Sequence, residues 1–282
     1  MTDEEDPEDI ENSGVDVDME AAPDIALQPG PSADKQADID RYISQAVRDR
    51  YDVYSYRHAA GILADSFPEE LREIEAALLG FSVTQRDIGT PGGNESIIPK
   101  KFSYALRPNG WLETRIRADL MVYQEKYAEH LLADGKSRKV RQADAPPQTV
   151  KNFIDGHKVD YVKGRVAFDL EWNSKDQTFD RDLYALRAFH ECGLISAGVM
   201  VTRSASLNPV FARVFLLDKH GARVPLLDKD GTRVGDKTCK AKYGASTTWM
   251  GKLLYRLDAG RHGGCPVLVF GIRPDAISDW AP

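Results

Sequence analysis

Asp169, Glu171 and Asn173 follow one another at intervals of two in the run Val166-Ala-Phe-Asp-Leu-Glu-Trp-Asn-Ser-Lys, and Asp160 stands nine residues before Asp169. Side chains alternate along a strand, so a strand over 166–172 puts Asp169 and Glu171 on one face, with Asn173 in phase, and Phe168, Leu170 and Trp172 on the other. The turn residues Lys163-Gly164-Arg165 can return a strand at 157–162 alongside it, bringing Asp160 next to Asp169. Three carboxylates at contact distance repel and raise one another's pKa. A hard divalent cation resolves that conflict, and oxygen-only ligands suit magnesium, with manganese as an alternative. Given a phosphodiester, such an ion lowers the pKa of a bound water and neutralises charge on the scissile phosphate. Asp160 and Asp169 are then the metal ligands, and Glu171 holds or polarises the attacking water. The same alternation also describes the solvated face of an ordinary hairpin, and spacing alone leaves both readings open.

Several elements must position these residues. Ile39, Tyr42, Ile43 and Val47 recur at helical spacing over 39–52, and Pro68-Glu-Glu opens a second helix with proline and acids in its first turn. Residues 88–101, with Gly89, Pro91, Gly92, Gly93, Asn94 and Pro99, read as a loop. Ile116, Ala118, Leu120 and Val122 alternate with Arg115, Arg117, Asp119 and Met121, the pattern of a strand with one buried face. Residues 133–151 interrupt regular structure with a basic stretch, either a solvated loop or a phosphate contact. Beyond the acids, a helix over 180–192, a buried strand over 195–201, a helix over 248–257 and a strand over 266–272 complete an α/β pattern: a central mixed β-sheet flanked by helices. Leu216-Leu-Asp-Lys-His-Gly-Ala-Arg-Val is echoed at Leu226-Leu-Asp-Lys-Asp-Gly-Thr-Arg-Val, each with the chemistry of a tight hairpin; the second lacks the twelfth-position glutamate of a calcium loop.

The chain's net charge of −7 conceals two regions. Residues 1–40 carry 14 acidic side chains and one basic one, leaving 36 basic against 30 acidic in residues 41–282, a net of +6 that suits a phosphate backbone without requiring one. The acidic segment lacks the apolar residues to offset the entropy of ordering, so residues 1–40 are expected to be a disordered tail, either solubilising or an acidic mimic of DNA, and 41–282 one catalytic domain. Cys192, Cys239 and Cys265 are odd in number and far apart, arguing for neither a disulfide framework nor paired zinc ligands. No apolar run is long enough for a membrane span and no signal-like order opens the chain, so the expectation is a cytoplasmic protein with no membrane partner. The six histidines lack the local arrangement of a ββα-metal nuclease.

The run from His157-Lys-Val-Asp-Tyr-Val-Lys-Gly-Arg-Val-Ala through Asp169-Leu-Glu-Trp-Asn-Ser-Lys-Asp-Gln-Thr-Phe-Asp-Arg-Asp-Leu resembles the catalytic region of the PD-(D/E)xK nucleases, and more narrowly of the BglII-type restriction endonucleases with their BamHI and BstYI relatives. Tyr243-Gly-Ala-Ser-Thr-Thr-Trp-Met-Gly-Lys-Leu-Leu and Gly263-Gly-Cys-Pro-Val-Leu-Val-Phe-Gly-Ile extend the likeness, which covers roughly residues 50–275. The resemblance implies a restriction-endonuclease-like core and a type II enzyme that cuts double-stranded DNA at a short palindromic site with metal-activated water. It places the family's first acid on Asp160, its second on Asp169, and Glu171 where the wider superfamily has lysine, which removes lysine as a general base. Glu113 is the candidate for a fourth active-site group, and Lys163, Asn173 and Lys175 are candidates for DNA phosphate contacts. A two-fold site implies a homodimer, and a restriction system implies a cognate methyltransferase outside this chain. Two alternatives share the fold: a repair or junction-resolving nuclease without restriction specificity, and a DNA-binding protein without catalysis.

Overall fold

The computed structural model describes residues 29–91, 96–244 and 246–281. Helices α1 (Gln36–Tyr42) and α2 (Gln45–Arg48) lead into strand β1 (Tyr51–Tyr56), followed by α3 (Ala59–Ser66), α4 (Pro68–Gly80), α5 (Gln85–Gly89) and α6 (Ile97–Leu106). Then come β2 (Leu112–Val122), β3 (Tyr127–Leu131), β4 (Ser137–Arg141), β5 (Gln148–Lys163) and β6 (Val166–Glu171). Helix α7 (Thr178–Glu191), β7 (Ala197–Arg203), α8 (Asn208–Arg213), β8 (Pro225–Leu227), β9 (Arg233–Asp236), α9 (Met250–Asp258) and β10 (Val267–Ile272) complete the order. Six strands make one mixed sheet in the order β1-β10-β7-β6-β5-β2. β6, β7 and β10 run parallel, and β1, β5 and β2 pair antiparallel at its two sides. This is the α/β architecture that the sequence implies.

Strands β6, β7 and β10 are buried along their whole length, as parallel strands are when helices cover both faces. On one face Phe168, Leu170, Val199, Val201 and Phe270 pack with α4 and α6 through Ile74, Leu78 and Phe102. On the other, Ala167, Met200 and Val269 pack with α7 and α9 through Phe179, Leu183, Leu186, Leu253 and Leu257. Phe168 immediately precedes Asp169 on β6 and is fully buried against the rings of Phe102, Trp111 and Tyr161. Phe168→Ala should cost about 3–5 kcal/mol through lost burial and the cavity left behind. A urea titration checks this: the midpoint falls while the slope stays constant.

Four sequence expectations are corrected. Residues 29–40 belong to the folded body: Ile39 is buried, the Gly30 amide donates to Asp258 (2.9 Å), and Asp34 accepts from the Ser55 hydroxyl (2.6 Å) and the His58 amide (2.8 Å). The apolar anchor at Ile39 offsets the ordering cost, and the rest of the expected tail, residues 1–28, lies outside the described residues. The helix expected over 39–52 breaks in two and ends at Arg48, because Tyr51 and Val53 alternate as strand residues and pair with Ile272 and Phe270. Helix α6 begins inside the expected loop at 88–101, with Pro99 in its first turn, where a missing N–H costs nothing. Finally, the basic stretch in 133–151 contains β4, hydrogen-bonded to β3 as a hairpin.

Strand β2 keeps only Ile116 buried, so the one-sided burial expected from its alternation is confined to the part near the body. The internal repeat forms matching turns: Asp218 accepts from the His220 and Ala222 amides, and Asp228 from those of Asp230 and Thr232. Each aspartate thus closes its turn on its own backbone, the role short polar side chains play in hairpins.

Candidate active site

Strands β5 and β6 join through the two-residue turn Gly164-Arg165, in which Gly164 takes φ +54°, a conformation glycine adopts without strain. The turn sets the register Tyr161↔Phe168, Val162↔Ala167 and Lys163↔Val166. Carried one residue further, it faces Asp160 with Asp169, and their carboxyl groups lie within hydrogen-bonding reach. Leu170's amide donates to Asp169 at 3.0 Å. Asp169 and Glu171 share the face covered by α7 and are 5% and 6% exposed, which rules out the solvated face of a plain hairpin. Asp160 is exposed at the mouth.

A fourth carboxylate comes from α7. Asp182 is 1% exposed and lies within hydrogen-bonding reach of Glu171. Arg181 donates to its Oδ1 from Nε (3.0 Å) and Nη2 (2.9 Å) and approaches Glu171 Oε1 at 3.7 Å. The sequence reading missed this residue. Its signal was phase: Phe179, Asp182, Leu183, Leu186 and Phe189 form the inward stripe of α7, and an aspartate in an apolar stripe needs a partner.

Electrostatics follow from this packing. Burial foremost, then the charges of Asp182, Asp160 and Glu171, hold the Asp169 carboxyl well above the usual carboxylate range. Burial and then Asp182 push Glu171 up to about 8, against a Ser174 hydrogen bond and the Arg181 charge, which favour its ionised form. Burial also raises Asp182, although Arg181 opposes it. A cluster that resists ionisation in this way stores a demand for positive charge.

The remaining sequence candidates are placed differently. Glu113 forms an exposed ion pair with Lys158 (2.7 Å), whose hydrogen bond and then charge hold its carboxyl below the usual range; the fourth acid in contact with the cluster is Asp182 instead. Lys163 is taken up by Glu73 (2.7 Å), which also accepts from the Trp111 indole (2.8 Å), so this lysine ties β5 to α4 rather than standing free for a phosphate. Asn173 is half-buried with an Oδ1 that has no hydrogen-bond partner, and Lys175 is exposed. A concavity of about 430 Å³ lined by Asp34, Asp38, Tyr42, His58 and Asp65, among others, shares no residue with the carboxylates.

The loop after β6 is pinned from below. The Thr248 amide donates to Ser174 O (2.8 Å) and the Asp176 amide to Ser246 O (2.9 Å), with Lys175 bridged to Thr247. Buried Arg203, at the end of β7, holds the other side of this junction: it donates to Thr248 O and to Thr247 Oγ1 and lies over the rings of Tyr243 and Phe211. Burial lowers its pKa to about 10, so it remains a cation at neutral pH. Arg203→Met should cost about 2–4 kcal/mol, the loss of charge-assisted bonds and the orphaning of a buried carbonyl. Hydrogen exchange should quicken at 173–177 and 246–249 while β10 keeps its protection.

The restriction endonuclease BglII/BglIII family matches residues 51–272, from the first residue of β1 to the last of β10. A comparison with curated proteins finds no match. The matched span contains the whole central sheet, the β5–β6 hairpin with its acids, and α7 above them, and on that match the chain belongs to the BglII/BglIII restriction endonuclease family.

Proposed function

We propose that the chain is a magnesium-dependent type II restriction endonuclease that hydrolyses both strands of double-stranded DNA at a short palindromic site. The observation that carries this reading is the buried carboxylate group on the β5–β6 hairpin, inside the span that matches the family. Its donors are all oxygen, the set preferred by magnesium and manganese, and they are held where they resist ionising without a cation. Among the described residues no three acidic, histidine or cysteine side chains stand preassembled as a metal cage. Asp160 and Asp169 meet carboxyl to carboxyl instead, an arrangement whose mutual repulsion a divalent ion would offset.

Asp160 and Asp169 would hold the ion. When bound, it supplies charge neutralisation at the scissile phosphate and a more acidic water. Glu171, supported by Ser174 and lacking any lysine beside it, orients the attacking water and takes its proton. Lys175 and Arg181, both exposed, would meet phosphates. A palindromic site calls for two such centres, hence a homodimer, and a protected host calls for a methyltransferase. No helix among the described residues is long and apolar enough to cross a membrane, and we place the enzyme in the cytoplasm with the DNA it would police.

The test is digestion of unmethylated phage DNA by the purified protein with magnesium and with EDTA. Discrete fragments with magnesium alone are expected. A smear would instead identify a nonspecific nuclease, and intact DNA with a mobility shift would identify a binding protein.

A further inference from the structure

Asp182 is almost wholly removed from solvent, yet no N–H and no hydroxyl among the described residues reaches its second oxygen, Oδ2, which leaves the acid proton of Glu171 as its one source of a hydrogen bond. Leaving a buried carboxylate oxygen unpaired costs several kcal/mol, and folded proteins rarely accept it without a use for the group. Arg181 satisfies only Oδ1, and it does so from the rim, with 62% of its own side chain exposed. The group within reach on the other side is Glu171, itself a carboxyl. Two carboxyls that face each other in a dry site, with a single half-solvated guanidinium beside them, can be held together by a proton or by a cation, and the cation satisfies both when they are ionised. Asn173, on the adjoining loop, adds a second buried oxygen without a partner.

Resting on the nuclease reading above, we infer that Asp182 belongs to the divalent-cation site of this enzyme, its Oδ2 joining Asp160 and Asp169 around the ion, with one oxygen of Glu171 turned to the same ion and the other left for the water. The acid comes from the helix that covers the site and not from the hairpin that carries the other acids. Ion binding would therefore fasten α7 to β6 at the catalytic end of the sheet. Arg181 in this arrangement is the competitor: it ion-pairs with Asp182 and approaches Glu171, and its exposure would let it swing outward to a phosphate once the ion binds.

The test is Mn²⁺ binding by the full-length, DNA-free protein, followed by the electron paramagnetic resonance signal of free Mn²⁺ in wild type, Asp182→Asn and Arg181→Met. Expected is binding weakened at least about tenfold in Asp182→Asn and unchanged or tightened in Arg181→Met. If Asp182 merely anchors Arg181, the two variants will weaken binding alike, and the inference fails. It fails equally if Asp182→Asn binds Mn²⁺ as wild type does. A wild type that binds no Mn²⁺ would overturn the metal-dependent reading itself, and this inference with it. Circular dichroism melts accompany each variant, and Asp182→Ser, smaller than the native residue, carries the same comparison should the asparagine melt early.

Discussion

Asp169→Asn and Asp160→Asn should each lower the rate of DNA cleavage by about 10³-fold or more while leaving the protein folded and its DNA affinity in EDTA within a few-fold of wild type. The expectation follows from where the charge is needed. Both residues would hold the ion that neutralises the scissile phosphate, a contribution of several kcal/mol made mainly in the transition state, and about 1.4 kcal/mol corresponds to each tenfold in rate. Asparagine keeps the volume of the side chain and removes the charge. At Asp169 it also relieves part of the repulsion from Asp182, Asp160 and Glu171, so the midpoint of thermal unfolding should hold or rise. Glu113→Gln is the contrast: its carboxylate is exposed and paired with Lys158, and the change should move the rate only a few-fold. Single-turnover cleavage of supercoiled plasmid measures all three, with gel shifts in EDTA for affinity. Equal damage from Glu113→Gln would mean that β2, not α7, supplies the fourth acid in the working enzyme.

What the sequence disclosed about this site, and what it hid, divides along a physical line. The alternation of Asp169 and Glu171 with Phe168 and Leu170 is local, and so is the turn at Gly164; both are properties of a dozen consecutive residues, and the hairpin they specify is the one observed. The depth at which the acids lie is not local. It depends on α7 closing over β6, which alternation cannot distinguish from open solvent. Asp182 escaped notice for the same reason, since its role is set by a contact across two elements. Lys163 shows the reverse error: a lysine in a turn looks free until the fold brings Glu73 beside it from α4. The order of residues 29–40 likewise depends on partners more than 200 positions away, as in the bond from Gly30 to Asp258.

Without divalent ions, the protein should lose stability as pH rises from about 4.5 to about 8, and magnesium or manganese should restore it at the upper end. The sign follows from proton linkage. Glu171 keeps its proton to about 8 in the folded chain, whereas an unfolded glutamate releases it near 4.5. Between those values the folded state binds more protons than the unfolded one, so the free energy of unfolding falls with pH. The stability tied to Glu171 is intact below 4.5, declines across the window and is fully lost above 8. Its size is on the order of 5 kcal/mol for Glu171 alone, and the raised Asp169 and Asp182 carboxyls act in the same direction. Other carboxylates work against this at the acid end: Asp180, held low by hydrogen bonds and charge from Arg256 and Arg261, favours the folded state only when ionised. The clearest comparison therefore runs from pH 5.5 to 8.5, above the titration of such pairs. Thermal melts in EDTA should fall steadily over that range, and saturating Mg²⁺ should raise the pH 8.5 melt far more than the pH 5.5 melt, since the ion binds the charged carboxylates and competes with their protons. A melt in EDTA that stays flat across the range would mean that water reaches these acids and that they are not buried in the folded protein.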